Sequence, residues 1–238
     1  MLMRLDKYLC SCGLGTRTEI KKVIRQKSVK VNGEIVSTSD FKVNENDQVT
    51  FKGQKVEYNQ YTYIMLNKPA GVLSATRDNH KTTVIDLLDE KYQNIGLFPV
   101  GRLDRDTVGL VVLSNDGDFA HNTLSPKKHI YKTYIAHIEG ALPSNAVEIF
   151  NKGVTLKDFT CESADLIIEE VCDTYTRVKV TIHEGKYHQI KRMFLSLNCK
   201  VIYLKRISFG NIILDENLKE GEYRLLNESE MEYIKTVR

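Results

Sequence analysis

The segment Gly101-Arg102-Leu103-Asp104-Arg105-Asp106-Thr107-Val108-Gly109-Leu110 places four charged side chains between two apolar stretches. Phe98-Pro99-Val100 precedes it, and the apolar run 110–113 follows it. Charged residues between two short β-forming runs predict a polar loop that joins two strands. Two carboxylates and two guanidinium groups within five positions can simply pair with one another, so this loop alone predicts no chemistry.

Short β-forming runs also dominate the rest of the chain after residue 60. Strands are predicted at 61–66, 109–114, 132–138, 163–171, 175–182 and 201–209, and helices at 84–88, 117–124, 144–152, 187–197 and 228–236. The strands mostly follow one another instead of alternating with helices. We therefore expect an α+β fold with a central, mainly antiparallel sheet.

The first 50 residues have a different pattern, typical of a small ααβ unit. One helix is predicted at 3–12, and a second begins at Thr16, because Thr16-Arg17-Thr18-Glu19 has the spacing of a capping box. Asn32-Gly33 interrupts an alternating run and predicts a β-hairpin. A further strand is predicted at 48–51.

Two domains are predicted, at 1–57 and 58–238, joined by the polar stretch 53–60. Positive charge is concentrated in the first domain, since residues 1–30 contain eight Lys or Arg and two Asp or Glu. The whole chain has a net charge of only +3. A basic module attached to a near-neutral body is typical of a protein that binds a polyanion.

The basic residues near the second helix form a positive stripe. Its members are Arg17, Lys21, Lys22 and Arg25, extended by Arg4, Lys7 and Lys30. Phosphates bind such a stripe through Coulomb attraction and counterion release, whereas the alternative is an ordinary solvated helix face. A second basic cluster, formed by Lys127, Lys128, His129 and Lys132, is open to the same two interpretations.

Composition disfavours several classes of protein. No apolar run reaches the roughly 18 residues of a membrane span, and the charged N-terminus is unlike a signal peptide, so we expect a cytoplasmic protein. The five cysteines have no zinc or redox spacing and are predicted to be reduced thiols. Glu184 and His188 lack a third ligand at a telling spacing, so no metal is expected. The glycines form no Walker or dinucleotide loop, so no nucleotide cofactor is expected.

Residues 3–50 resemble the S4 RNA-binding domain. The segments that carry the resemblance are Arg4-Leu5-Asp6-Lys7-Tyr8-Leu9, Thr16-Arg17-Thr18-Glu19-Ile20 and Val29-Lys30-Val31-Asn32-Gly33. The resemblance implies that the positive stripe contacts RNA through its shape and its phosphates.

Four further segments, in order along the chain, resemble the ribosomal RNA pseudouridine synthases of the RsuA type. They are Leu66-Asn67-Lys68-Pro69-Ala70-Gly71-Val72, the quoted loop, Lys132-Thr133-Tyr134 and Glu184-Gly185-Lys186-Tyr187-His188-Gln189-Ile190-Lys191-Arg192-Met193-Phe194. The last segment is more similar to the enzymes of small-subunit RNA. The resemblance implies an isomerase, without any cofactor, that converts a specific uridine of small-subunit (16S) ribosomal RNA into pseudouridine. The same chemistry on large-subunit (23S) RNA is the alternative.

The resemblance also implies roles for individual residues. Asp104 is expected to be the essential carboxylate, because breaking a glycosidic bond builds positive charge on the ribose. Lys191 stands where many relatives have Arg and is expected to pair with Asp104 as a point charge. Tyr134 is expected to stack on the extruded uracil. Arg102 or Arg105 is expected to fill the gap in the RNA or to hold a phosphate.

The expected partner is ribosomal RNA or an assembling ribosomal subunit, bound by a monomeric protein. A non-catalytic RNA-binding assembly factor is one rival, which the presence of Asp104, Tyr134 and Lys191 disfavours. An RNA glycosidase or nuclease is another. The sequence leaves open whether Asp104 attacks C1′, removes a proton at C2′ or adds to the base.

Overall fold

The computed structural model describes residues 2–44, 46–125 and 128–238. Its helices are α1 (Leu5–Ser11), α2 (Arg17–Arg25), α3 (Glu90–Gln93), α4 (Gly117–Leu124), α5 (Ala146–Lys152), α6 (Gln189–Ser196) and α7 (Glu228–Val237). Within the described residues no helix has both the length and the apolar character needed to cross a membrane. The five cysteines are free thiols, as predicted.

The strands form three sheets. They are β1 (Met3–Arg4), β2 (Val29–Val31), β3 (Glu34–Ile35), β4 (Lys42–Val43), β5 (Val49–Phe51), β6 (Gln54–Lys55), β7 (Tyr63–Lys68), β8 (Phe98–Val100), β9 (Val108–Ser114), β10 (Lys132–Glu139), β11 (Asp165–Val171), β12 (Thr176–Ile182), β13 (Lys200–Phe209), β14 (Ile212–Ile213) and β15 (Tyr223–Leu225). β1 pairs with β4, a second sheet has the order β3-β2-β5-β6, and the other strands form the large sheet.

Local sequence signals account for the small N-terminal unit. Thr16 caps α2 through a capping box, in which its hydroxyl accepts a hydrogen bond from the backbone N–H of Glu19. Asn32 and Gly33 both have positive φ, 51° and 87°, in the turn between β2 and β3, as the Asn-Gly pair predicts. Apolar side chains from both helices and from β2 form a separate core, which includes Leu9 and Ile24.

The stretch 53–60 differs from the prediction that all of it is a linker. β6 lies inside it and pairs with β5, because the chain turns at Gly53, where φ is 83°. Tyr58 also stacks on Tyr8, with ring centroids 4.9 Å apart. The small unit therefore recruits part of the predicted linking stretch into its own sheet and core.

The large sheet confirms the predicted α+β class. Its strand order is β11-β12-β10-β13-β9-β7-β15, with β8 on β9 and β14 on β13. The pairs are antiparallel except for β13 with β9, which is parallel. One face packs under α5 and α6, through Phe150 and Phe194. The opposite face of β7 and β9 packs against α4 and α7, through Phe119 and Ile234. Every residue of β9 is consequently buried.

The helix predicted at 84–88 is absent, and these residues form a turn. Thr83 pairs in a β-bridge with Leu73, and the backbone N–H of Val84 donates to the carbonyl of Leu73. The Asp86 carboxylate accepts hydrogen bonds from both the backbone N–H and the hydroxyl of Thr83. Val84 and Asp86 therefore make hydrogen bonds that a helix would not make. The spacing of the apolar residues in this segment reflects core packing and not a helix.

Candidate active site

The polar loop between β8 and β9 is folded back on itself. The backbone N–H of Thr107 donates to the carbonyl of Asp104 over 3.2 Å. Leu103 is buried beneath the loop, and its N–H and C=O both bond to the hydroxyl of Ser74, each over 3.1 Å. These contacts anchor the residue before Asp104, while the Asp104 side chain itself remains 26% exposed.

Lys191 on α6 meets two carboxylates of this loop. Its Nζ lies 3.1 Å from Oδ2 of Asp104 and 2.6 Å from Oδ1 of Asp106. Burial lowers the pKa of Lys191, but the hydrogen bonds to Asp106 and Asp104 outweigh it, so the pKa is raised overall. The hydrogen bond from Lys191 holds the pKa of Asp106 below its usual range. The expected pairing of Asp104 with Lys191 is present, but Asp106 shares the ammonium.

Tyr134 lies in the wall of the pocket that contains this ion pair. It projects from β10 and is only 7% exposed. The residues lining the pocket are Arg102, Leu103, Asp104, Thr107, Tyr134, Ile182, His188, Gln189, Ile190, Lys191 and Leu204. Apolar walls with a few charged groups at one side suit a flat, partly polar ligand such as a nucleobase.

The two arginines of the loop differ in their positions. Both are exposed, but only Arg102 lines the pocket. Nε of Arg105 instead donates to the carbonyl of Gly71 over 3.0 Å, and the Gly71 N–H donates back to the carbonyl of Arg105. Arg105 therefore ties the loop to the segment that follows β7.

His188 enters the pocket beside Asp104, which the sequence did not predict. Its Nε2 lies 3.6 Å from Oδ1 of Asp104. Glu184 does not join it, because this carboxylate accepts a hydrogen bond from Gln189 and pairs with Lys186. In the part of the chain that the structure describes, no three His, Cys, Asp or Glu side chains are grouped to hold a metal ion.

Comparison with known proteins identifies this arrangement. The family model described as RNA pseudouridylate synthase matches residues 62–196, and the S4 domain model matches residues 3–49. The chain belongs to the RNA pseudouridylate synthase family. The loop, the Tyr134 strand and the α6 segment all lie within the matched region of this synthase.

Relatives match over nearly the whole synthase chain. An uncharacterized RNA pseudouridine synthase of Bacillus subtilis is 41% identical over 231 residues, covering 96% of this chain and 97% of its own. A ribosomal small subunit pseudouridine synthase A of Haemophilus influenzae is 40% identical, with coverages of 97% and 98%. A crystal structure of a pseudouridylate synthase superposes with a TM-score of 0.67 at 37% identity, covering 98% of this chain and 99% of that one.

Lys68 supports the loop of the synthase from beneath, and sequence reasoning missed it. It is fully buried at the end of β7. Its Nζ donates to the carbonyls of Pro69, Arg105 and Thr107, over 2.9, 3.2 and 2.8 Å. Burial lowers the pKa of Lys68 to about 8. The sequence signal that could have revealed this role of Lys68 is a lysine at the end of an apolar strand.

Arg206 is the second buried cation that sequence reasoning missed. It is 2% exposed on β13, and its Nε donates to the carbonyl of Leu110 over 2.8 Å. It lies opposite Gly109 in the parallel pairing of β13 with β9. A Cβ on Gly109 would come within 2.3 Å of the Arg206 carbonyl oxygen, so this position requires glycine.

The predicted RNA-contacting residues of the N-terminal unit lie apart from the pocket, since none of them is among its lining residues. Arg17, Lys22, Arg25, Lys7 and Lys30 are exposed, and Lys21 is half-buried. Arg4 is exposed but donates two hydrogen bonds to Asp6. Lys7 and Arg17 line a cleft whose other side is formed by residues 94–96.

The second predicted basic cluster is not a uniform surface. Lys127 lies outside the described residues. His129 pairs with Glu162 over 3.6 Å. Lys132 points inward, where its Nζ donates to the carbonyls of Ile130 and His183, and burial lowers the pKa of Lys132 to about 8. The prediction that Lys132 is available for backbone phosphates was wrong.

Proposed function

We propose that this synthase isomerises a specific uridine of small-subunit (16S) ribosomal RNA, with Asp104 as its essential carboxylate. The observation that carries the proposal is the contact of 3.1 Å between Asp104 and Lys191 in an open, apolar-walled pocket. Relatives named ribosomal small subunit pseudouridine synthase A, at 38–40% identity over almost the full length, support the choice of RNA.

The positions of the side chains in the pocket support a separate role for each of them in the reaction. The reaction breaks the bond from C1′ to N1 and remakes it to C5, which develops positive charge on the ribose. Asp104, in contact with the Lys191 ammonium, stabilises or traps that charge. Tyr134, within an apolar wall that includes Ile182 and Leu204, takes the face of the uracil.

The uridine must leave its stack to reach this pocket. Extrusion costs a few kcal/mol, so RNA contacts outside the pocket have to compensate. Arg102 is exposed at the pocket and can occupy the vacated position or contact a phosphate. Arg105 is held at the segment after β7 and contributes chiefly by fixing the loop.

We assign residues 1–57 to an RNA-anchoring domain and 58–238 to the catalytic domain. The apolar cores before and after this boundary are separate, which supports the division, while Tyr58 itself packs against the N-terminal core. The exposed members of the positive stripe on α2 would track the RNA backbone. The synthase would act as a monomer on ribosomal RNA or an assembling subunit, and hence in the cytoplasm.

Pseudouridine mapping in both ribosomal RNAs tests the proposal. In cells lacking the protein, one pseudouridine of small-subunit RNA should disappear, and the wild-type gene should restore it. Asp104→Asn should not restore it, whereas Asp173→Asn, at an exposed turn, should serve as a matched control. Loss of a large-subunit site would redirect the substrate assignment, and restoration by Asp104→Asn would remove Asp104 from its role.

A further inference from the structure

An aromatic pair stands at the mouth of the pocket and has no part in the chemistry assigned so far. Tyr187 and His188 stack with ring centroids 3.9 Å apart and an interplanar angle of 15°. Tyr187 is 77% exposed, the largest exposed fraction among the large hydrophobic side chains that the structure describes. One face of its ring rests on the imidazole.

The pair connects directly to the reacting carboxylate. His188 contacts both residues, since its ring face stacks on Tyr187 and its Nε2 is 3.6 Å from Oδ1 of Asp104. The Tyr187 ring therefore packs against a side chain that touches the carboxylate. A base beside an extruded uridine would lie close to this region, because adjacent nucleotides share a short backbone link.

The backbone holds the pair in an unusual conformation. His188 has a φ of 49° and a ψ of 33°, the left-handed region that is uncommon for a residue other than glycine. Such conformations persist only where the surrounding structure determines them, and they are frequent at ligand sites.

Buried hydrogen bonds fix this conformation. Gln189, only 4% exposed, accepts a hydrogen bond from the backbone N–H of Lys186 over 3.0 Å and donates to Glu184 over 2.7 Å. The carbonyl of His188 accepts the N–H of Arg192. The two rings are thus presented by a braced turn and not by a loose loop.

We propose that Tyr187, backed by His188, is a stacking platform for the base next to the extruded uridine. Extrusion leaves the flanking bases without a stacking partner on one side, and an aromatic face replaces that partner without regard to base identity. The inference rests on the proposed function, since it needs an RNA substrate in the pocket. It adds a subsite for a neighbouring nucleotide, which the catalytic assignment does not require.

Tryptophan fluorescence offers a direct test, because the chain contains no tryptophan. Tyr187→Trp, combined with Asp104→Asn to prevent turnover, places a single indole at the platform. An RNA oligonucleotide containing the mapped uridine should quench its emission by stacking. Replacing one of the two flanking nucleotides with an abasic one should abolish the quenching. Leu195→Trp, on α6 and outside the pocket lining, should be unaffected by either abasic substitution.

Turnover supplies the second arm of the test. Tyr187→Ala should lower kcat/KM about 5- to 150-fold, the equivalent of ~1–3 kcal/mol for one stacked base. Tyr187→Phe should retain most of the activity. The wild-type enzyme should convert the abasic substrate more slowly than the intact substrate. Tyr187→Ala should convert both substrates at the same rate.

The outcomes separate the two proposals. No turnover of the intact RNA by the wild-type enzyme counts against the proposed function. Two results would overturn the stacking proposal if wild-type turnover is normal. One is an unchanged tryptophan emission on RNA binding. The other is that the effects of Tyr187→Ala and of the abasic substitution add up at both flanking positions.

Discussion

Lys68→Met removes the only ammonium that the described structure places under the loop carbonyls, and it should lower both stability and activity. The substitution preserves the side-chain length and deletes hydrogen bonds to the carbonyls of Pro69, Arg105 and Thr107. Each such bond from a charged donor contributes about 1.5–3 kcal/mol, so the loss is about 5–9 kcal/mol.

Relief of burial opposes this loss. The pKa of Lys68 falls from 10.5 to about 8, which corresponds to about 3 kcal/mol against the buried ammonium at pH 7. The loss exceeds this relief, so the free energy of unfolding of Lys68→Met should be about 2–6 kcal/mol below that of the wild type at pH 7. Activity of the folded variant should also fall, up to about 100-fold, because a displacement near 1 Å of a reacting group has that effect.

The free energy of unfolding should depend on pH in a way that a cavity or altered packing would not produce. Between pH 8 and 10.5 the unfolded chain keeps the Lys68 proton and the folded chain releases it. The unfolded state then binds more protons, and stability rises with pH. From pH 7 to 9.5 the wild type should gain about 2 kcal/mol relative to Lys68→Met. Groups that do not interact with Lys68 titrate equally in both proteins, so their contributions cancel in the difference.

Urea unfolding at several pH values, with kcat measured in parallel, tests this reasoning. Lys132→Met is a matched control, because burial also lowers the pKa of Lys132 to about 8. Its Nζ donates to Ile130 and His183, outside the loop. It should show the same pH signature with a smaller loss of kcat. A difference between wild type and Lys68→Met that stays constant with pH would refute the titration argument, and unchanged kcat would refute the positioning argument.

Two further substitutions test the remaining assignments. Lys191→Met should lower kcat at least ~10-fold more than Lys186→Met in single-turnover assays. The reason is that a charge-assisted hydrogen bond contributes about 1.5–3 kcal/mol, whereas Lys186 pairs outside the pocket. Equal losses would argue against the ion pair at the loop. Arg17→Gln with Arg25→Gln, both exposed on α2, should make the log–log salt dependence of RNA binding shallower by about 1.4, at ~0.7 for each single-strand phosphate contact. Lys152→Gln, exposed at the end of α5, should leave the slope unchanged. An unaltered slope in the double variant would exclude this stripe from the interface.

Features encoded by short-range signals were predictable from the sequence. The helix predicted at 117–124 is α4 itself, because Asp116 caps its first turn through hydrogen bonds to the N–H groups of Asp118 and Phe119. The Asn32-Gly33 turn is equally local. The helix predicted at 84–88 failed because the backbone N–H of Val84 bonds to the carbonyl of Leu73 in another part of the chain, which periodicity does not report.

The arrangement around Lys191 was only partly predictable. The resemblance pointed to a pair with Asp104, and the structure has that contact. It also places Asp106 closer to the ammonium, at 2.6 Å, and brings His188 to the other oxygen of Asp104. Both features depend on the angle at which α6 approaches the loop. Packing of the sheet sets that angle, and residue spacing along the chain does not.

Gly109 shows why the support beneath the loop could not be read from the sequence. In the large sheet it lies between Lys68 on β7 and Arg206 on β13. The two cations bond to carbonyls on either side of it, Lys68 to that of Thr107 and Arg206 to that of Leu110. The chain here leaves the polar loop and enters a sheet that is buried on both faces. Water therefore cannot reach the carbonyls of this segment. Buried cations satisfy those carbonyls and also place positive charge beneath a loop that carries two carboxylates. A side chain on Gly109 would separate β9 from β13, so a substitution there should loosen the loop even though it removes no charged group.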